Sequence, residues 1–504
     1  MRASLANLPF FVVLMGLGAL AMLLPAAHAL VLRDFHVMRV FFYAAILCGG
    51  LTGLVALATA GQPVRNPARS QLLTLFAAFT ALPLMFALPF AVAARHPTWL
   101  DAWFEMVSSF STTGATVFDN VGSLSLSLHL WRASVGWMGG LMIWVSAAAI
   151  FAPMNLGGFE VRAASAGTGT GSATIYPQFA RPMPADRLTR YAARLAPIYT
   201  ALTFALWIGL VIAGERPTVA LCHAMSVLAT SGISPVYGLY YSGAGIWGEI
   251  LILGFFVFAI SRLTFARGMI GERAGGLRRD PEVQVAVLLV AGTTLLLFLR
   301  HYVEAAPTGR FGESLLALWG ALFTVTSFLT TTGFESRWWE GTTIWSGLET
   351  PGLFLVGLAL IGGGVATTAG GVKLLRVYAL FRHSERELER LVHPSSIGGG
   401  GREARRIRKQ GAYISWIFFM LFGISIAGVM VLLSLTGVQF ETSMVLAVAA
   451  LSNTGPVASV AAEYPISYDG IPDMAKVILA AAMVLGRLET LAIIALFNPE
   501  FWRK

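Results

Sequence analysis

The sequence predicts an all-α polytopic membrane protein: two leading helices, then four repeats of helix, re-entrant loop and helix. Three observations lead there. Of 504 residues, 56% are hydrophobic and 12% charged, about half the charge of an ordinary soluble domain. Five uncharged stretches, Gln71–Ala94, Ala133–Phe159, Leu195–Gly214, Thr350–Val372 and Gln410–Phe440, reach the roughly 20 residues a helix needs to cross a hydrocarbon core. Four shorter apolar segments end alike, in small hydroxylated residues and glycine. Solid apolar runs exclude a transmembrane β-barrel, whose strands alternate.

Residues 1–64 hold the two leading helices, within Leu8–Leu24 and Val40–Ala60. Arg2, the first run and Ala27-His28-Ala29 also mimic a cleavable signal peptide. Retention of that run as a membrane helix is the expectation. The repeats follow at 65–160, 161–270, 271–390 and 391–504, the third with a glycine-rich intramembrane loop and the fourth with the C-terminal tail.

The endings are Ser111-Thr112-Thr113-Gly114-Ala115-Thr116, Ala229-Thr230-Ser231-Gly232-Ile233-Ser234, Thr330-Thr331-Thr332-Gly333-Phe334-Glu335 and Ser452-Asn453-Thr454-Gly455-Pro456-Val457. Their glycines lie 118, 101 and 122 residues apart. A Thr-Gly pair alone proves nothing, since Thr168-Gly169, Thr308-Gly309 and Thr436-Gly437 also occur. Small residues in membrane helices commonly serve close packing, and Ser314–Phe334 is long enough to be a complete span. That reading shifts the topology and degrades the charge asymmetry. The fourfold joint recurrence of short helix, hydroxyl run, glycine and uncharged exit favours re-entrant half-helices.

Charge fixes the orientation. The net charge is +9. If the loop Gln62–Ser70 is cytoplasmic, so are Pro153–Arg194, Arg262–Glu282, Lys373–Lys409 and the tail. With Arg2 and Arg487, that side holds 26 of 35 basic but only 11 of 26 acidic residues, as the positive-inside rule requires. Nucleic acid is a poor second explanation for the excess. Cys48 and Cys222 sit far apart in apolar segments and build neither a disulfide framework nor a zinc site.

Non-helical backbone at membrane depth is tolerated only where protein buries it or water fills a cavity beside it. Its carbonyls can replace an ion's hydration shell, and four such loops around one pore make a selectivity filter. Glycine supplies positive φ without a Cβ clash. Thr, Ser and Asn oxygens can brace the turn or join the ring. Each half-helix aims its negative C-terminal end at the ion path, which favours a cation. No carboxylate immediately precedes any of the four glycines, so a dense acidic ring suited to calcium is missing and a monovalent ion fits better.

These endings, in this order, resemble the filter segments of the Trk/Ktr/HKT superfamily of potassium transporters, specifically its Trk-type membrane subunit. Gly362-Gly363-Gly364-Val365-Ala366-Thr367-Thr368-Ala369-Gly370-Gly371-Val372-Lys373 resembles the family's intramembrane loop. Gly486-Arg487-Leu488-Glu489 and the ending Pro499-Glu500-Phe501-Trp502-Arg503 resemble its last helix and tail. Three stretches depart from the pattern: Ser231 before Gly232, Val365-Ala366-Thr367 in the loop, and Val457 after Pro456.

The resemblance implies potassium uptake across the cell inner (cytoplasmic) membrane. It places the filter at Thr112, Thr113, Gly114, Thr230, Ser231, Gly232, Thr331, Thr332, Gly333, Asn453, Thr454 and Gly455. It places a gate at Gly362, Gly363, Gly364, Gly370, Gly371, Lys373 and Arg487. It also implies a homodimer in the lipid bilayer and a cytosolic nucleotide-binding regulatory ring, with nucleotide acting only through that partner. No covalent cofactor and no enzyme activity are implied; potassium is the transported ligand.

Other residues read as follows. The glycines of Gly357–Gly371 each cost about 1 kcal/mol against alanine in a helix, so that segment is not a stiff rod. Lys373 and Arg376 read as anchors at the cytoplasmic boundary. Arg487 is costly inside an apolar helix and is therefore a functional candidate; Glu489, two positions on, points elsewhere. Asp101, Glu105, Glu313 and Glu441 lie at or near half-helix starts, where acids suit the dipole. His223 reads as structural. Gly167-Thr168-Gly169-Thr170-Gly171 reads as a flexible loop and not a phosphate cradle. The basic run Arg402–Lys409 suits anionic lipid or the docking of a soluble partner. A coupled secondary transporter would show two inverted halves, and an intramembrane hydrolase would cluster catalytic His, Asp or Glu; neither pattern is present.

Overall fold

The computed structural model describes residues 9–59, 67–94, 98–152, 158–159, 185–261, 280–304, 311–348, 350–393, 409–462 and 464–489, and every regular element among them is helical. Among the described residues, eight helices are long and apolar enough to cross a membrane. The leading pair is α1 (Phe10–Ala21) continued by α2 (Leu23–Val31), then α3 (Phe35–Thr59). Repeat 1 comprises α4 (Pro67–Ala93), the half-helix α5 (Trp99–Phe110) and α6 (Leu126–Ser146), which runs on through a widened turn at Ala147–Phe151. Repeat 2 comprises α7 (Ala185–Ile212), the half-helix α8 (Pro217–Ala229), α9 (Gly245–Phe255) and α10 (Val257–Ile260).

Repeat 3 comprises α11 (Pro281–Glu304), the half-helix α12 (Phe311–Leu329), a surface helix α13 (Trp339–Ser346), and α14 (Gly352–Ile361) and α15 (Leu374–Val392) on either side of the glycine-rich loop. Repeat 4 comprises α16 (Lys409–Leu435), the half-helix α17 (Phe440–Leu451), the single turn α18 (Val457–Val460) and α19 (Asp473–Leu488). The half-helices have 12, 13, 19 and 12 residues. The third is thus long enough to span, yet it ends in the same polar turn as the others.

Packing closes the repeats into a ring. Besides the helices of its own repeat, each half-helix touches the closing helix of the preceding one: α8 on α6, α12 on α9, α17 on α14, and α5 on α19. Local chemistry starts these helices cleanly. Thr98 and Asp101 form a reciprocal capping box on α5, which satisfies two backbone donors that a helix start leaves open. Lys476 of α19 pairs with Asp101 at 2.6 Å and seals the junction of repeats 4 and 1. Pro217 occupies the first position of α8, where its missing N–H costs nothing.

Lipid tails are as apolar as leucine, so packing here rests on close contact and not on escape from water. Side chains such as Leu54, Leu57 and Ile212 face outward, as a lipid solvent permits. Inside, Phe41, Phe86, Phe110 and Trp131 stack edge-on in a chain, with centroids 5.4–5.7 Å apart, that joins α3 to half-helix α5. Glycines set the closest approaches. A methyl on Gly139 of α6 would overlap the Phe110 carbonyl, and one on Gly486 of α19 would overlap the Leu451 carbonyl. Phe110 and Leu451 hold the same place, four residues before the filter glycine. Gly139→Ala should therefore cost about 1–3 kcal/mol by overpacking and lower the unfolding midpoint in detergent by several degrees. Gly254→Ala, whose methyl would meet nothing within 4 Å, should leave it unchanged.

Candidate functional site: a fourfold filter and the loop against it

All four half-helices end in the same turn. Thr112, Thr230, Thr331 and Asn453, each two residues before its glycine, adopt φ of 56°, 52°, 57° and 54°. The N–H of the following residue reaches back over the helix end to the carbonyl of Ser108, Ser226, Ser327 or Ala449, at 2.9 Å in every repeat. This is the hydrogen-bond pattern of a Schellman helix end, with Thr or Asn where glycine is usual. The left-handed region costs an L-residue roughly 1–2 kcal/mol, and a β-branched residue there is a genuine outlier. Strain repeated at one position of four repeats marks a site held in shape for use.

Three filter glycines, Gly114, Gly232 and Gly333, take φ of 73°, 64° and 79°. Gly455 departs from the expectation, because it lies outside the positive-φ region. Its glycine is required by proximity: a methyl there would overlap the Ala115 backbone nitrogen, and the Gly455 N–H donates to the Thr113 carbonyl at 2.6 Å. Likewise a methyl on Gly114 would overlap the Ser231 carbonyl, on Gly232 the Thr332 carbonyl, and on Gly333 the Pro456 ring. The loops therefore touch 1 to 2, 2 to 3, 3 to 4 and 4 to 1.

Hydroxyls brace the turns as the sequence implies. Ser111 Oγ and Thr113 Oγ1 lie 2.7 Å apart, Thr330 Oγ1 and Thr332 Oγ1 3.1 Å apart. Asn453 is the asymmetric member: its Nδ2 donates to Thr113 Oγ1 at 3.1 Å and to the Met483 carbonyl at 2.9 Å. Thr112 Oγ1 and Asn453 Oδ1 are buried without a protein partner, as oxygens available to an ion or its water would be.

The segments leaving the filter are held by residues most of which sequence reading missed or misjudged. Glu105 is fully buried; it is in the second turn of α5, not at its start, so the dipole explanation holds for Asp101 but not for it. Its Oε2 accepts from Val117 N and Thr116 Oγ1, both at 3.2 Å, and it pairs with Arg132. His223, in the same place nine residues before Gly232, meets Ser234 Oγ at 2.9 Å and is structural as expected. Thr324, nine before Gly333, accepts from Ser336 N at 3.1 Å. In repeat 4 this position is Leu446, and Tyr468 instead donates to the Gly455 carbonyl at 3.0 Å. The shared offset from the glycines was the available signal. It was hidden because Glu, His and Thr share no residue type.

The glycine-rich segment breaks the helix at Ile361 and resumes it at Leu374. Its two arms are tied by Val372 N to Leu360 O at 3.0 Å, Lys373 N to Ile361 O at 2.8 Å and Leu374 N to Gly363 O at 2.9 Å. Gly362 and Gly371 take positive φ at this neck, and Gly363 and Gly364 press against the Ala259 and Ile260 carbonyls. Glu282 of α11 accepts from Val365 N at 2.8 Å. The far end of the loop meets the filter turns: Gly370 N donates to Thr331 Oγ1 at 2.7 Å, and Thr368 Oγ1 donates to the Leu228 carbonyl at 3.0 Å. A methyl on Gly370 would overlap the Ser452 carbonyl. Arg487 of α19 is buried, and its Nη2 donates to the Thr368 carbonyl at 2.6 Å.

Lys373 and Arg376 are not boundary anchors. Both are buried. Lys373 Nζ donates to the Ala369 carbonyl, and Arg376 pairs with Glu489 at 2.7 Å while lying 3.6 Å from the centre of the Phe418 ring. Boundary anchors need a hydrated head, and these heads are spent on bracing the loop and the end of α19.

The two sides of the filter differ in space. On one side the four glycines floor a vestibule of about 660 Å³, walled in part by Asp119, Glu335 and Glu340. On the other, between Arg487, Lys373, Gly370 and Gly371, the cavity is about 20 Å³, room for about one water. Gly167–Gly171, residues 402–408 of the basic run and the ending Pro499–Arg503 lie outside the described residues.

Comparison with known proteins agrees with this geometry. Residues 36–504 match the family described as TrkH, cation transport protein. The Trk system potassium uptake protein TrkH of Halomonas elongata is 31% identical over 435 residues, 84% of this chain and 83% of its own. The protein of that name in Escherichia coli is 29% identical, with 96% of each chain covered. The crystal structure of the potassium transporter TrkH from Vibrio parahaemolyticus superposes with a TM-score of 0.81 at 25% identity over the whole of both chains. A helical ring of four strained filter turns, matched along nearly its full length, has one family assignment: the chain belongs to the TrkH family of cation transport proteins.

Proposed function

We propose that the chain takes up potassium across the cytoplasmic membrane, through a carbonyl-lined filter formed by the four turns. The observation that carries this is the strained left-handed residue repeated before each filter glycine, in loops that contact one another around a closed ring. Four half-helices end at that ring, so their partial negative charges converge where a cation loses water. The names of the Halomonas, Escherichia and Vibrio relatives support potassium as the ion.

In this reading Thr112–Gly114, Thr230–Gly232, Thr331–Gly333 and Asn453–Gly455 bind the ion in the course of permeation. The loop Gly362–Lys373 with Arg487 is the gate, and a cavity sized for one water on its side of the filter supports a shut path. The vestibule faces outside, its three acids gathering cations, and the basic loops face the cytoplasm. A homodimer and a cytosolic nucleotide-binding regulatory ring complete the assembly, consistent with relatives named as members of a Trk system.

The test is ion flux into proteoliposomes of the purified protein, comparing potassium, rubidium, sodium and lithium. Potassium and rubidium should enter without any imposed proton or sodium gradient and well ahead of sodium and lithium. Flux that requires a second ion's gradient would replace this reading with a coupled transporter.

A further inference from the structure

Two buried carboxylates hold the segments leaving opposite filter loops; neither lines the vestibule itself, although Thr116, Arg132 and Ser336, which they hold, do. Glu105 anchors repeat 1. Beyond its bonds to Val117 N and Thr116 Oγ1, its partner Arg132 meets His129 Nδ1 at 3.3 Å, and His129 Nε2 meets the Val121 carbonyl at 2.9 Å. The segment 116–121 is thus clamped at both ends by one chain of polar groups. Glu249 does the same for repeat 3, from the closing helix α9 of repeat 2. Its Oε1 accepts from Arg337 N at 2.8 Å, its Oε2 from Ser336 Oγ at 2.9 Å and from Trp319 Nε1 at 2.7 Å. It is buried, and among the described residues no ion pair joins it to a basic group. Trp319 belongs to half-helix α12, so Glu249 fixes the exit segment and the half-helix of repeat 3 to one another.

The other two repeats use neutral groups at this level, His223 and Tyr468. A carboxylate accepting several donors holds them more firmly than a neutral group making a single bond, since charge-assisted bonds are roughly twice as strong. Where a filter sorts ions by cavity size, its oxygens must not follow a smaller ion inward. Resting on the filter reading above, we infer that Glu105 and Glu249 are positioning residues that fix the exit segments of loops 1 and 3 and thereby set selectivity among monovalent cations.

The experiment compares Glu249→Gln, Glu249→Ala and the double change Glu105→Gln with Arg132→Gln, which leaves no unpaired buried charge. Potassium and sodium flux are measured in the same proteoliposomes, with unfolding midpoints in detergent. Glu249→Gln keeps one acceptor oxygen, and Glu249→Ala keeps none. The expected order of potassium-over-sodium preference is wild type, then Gln, then Ala, with the last reduced about tenfold, one bond-strength step in an equilibrium of this kind. A merely structural role would reduce both fluxes together and leave their ratio fixed. An unchanged ratio in the folded Gln and Ala proteins overturns the inference and leaves the potassium-filter reading standing. A wild-type protein without potassium preference fails the parent reading first.

Discussion

Gly114→Ser is expected to reduce potassium flux by about two orders of magnitude, and to bring what remains close to equal permeation of potassium and sodium. Two costs add. Gly114 has φ of 73°, a conformation worth roughly 1–2 kcal/mol against any L side chain. A Cβ there would also overlap the Ser231 carbonyl, one of the oxygens assigned to the filter, so relief of the clash must move loop 2 as well as loop 1. Overpacking of this kind costs about 1–3 kcal/mol. Gly455→Ser carries the second cost without the first, because Gly455 is not left-handed. Its effect should be smaller by about tenfold, the size of the backbone term. Rubidium uptake with competing sodium, in proteoliposomes matched for protein content, measures both. Wild-type selectivity in a folded Gly114→Ser protein would remove these turns from the ion path.

The same residues show how much the sequence discloses. The fourfold architecture was legible because it is written in composition and recurrence: apolar length, hydroxyl run, glycine, uncharged exit. The strained residue two before each glycine was within view in those runs, but threonine gives no local hint of left-handed backbone. Tertiary contact imposes it. Gly455 shows the limit from the other side, since one sequence signal covered two physical causes, backbone conformation at three positions and proximity at the fourth. Lys373 and Arg376 were misplaced because basic residues after an apolar run normally mark the membrane boundary. Here the chain turns back before them, and only the fold supplies Ala369, Glu489 and Phe418 as partners. Glu249 was invisible for a related reason: it serves repeat 3 from a helix of repeat 2, some 88 residues from Arg337.

Arg487→Gln should raise potassium flux measured without any soluble partner, by about ten- to a hundredfold. Arg487 does two things to the loop beside it. Its guanidinium holds the Thr368 carbonyl at 2.6 Å, and a hydrogen bond from a charged group contributes about 1.5–3 kcal/mol. Its charge also stands beside the small cavity lined by Gly370 and Lys373. A fixed positive charge several ångströms from a permeating cation adds ~2 kcal/mol of barrier at a protein-like dielectric. Arg487→Lys separates the two, since it keeps the charge and loses the planar fork that reaches Thr368. If the tether dominates, Lys and Gln variants open alike; if the charge dominates, only Gln does. The loop's other ties include Gly370 to Thr331 and Thr368 to Leu228 at the filter turns, and Glu282 of α11 to Val365. Neither substitution touches them, so a raised flux should keep its preference for potassium. Unchanged or lower flux from a protein that folds normally would take Arg487 out of the gate and leave it as a helix-packing residue. Higher flux with selectivity lost would instead place the loop's grip on Thr331 among the supports of the filter itself.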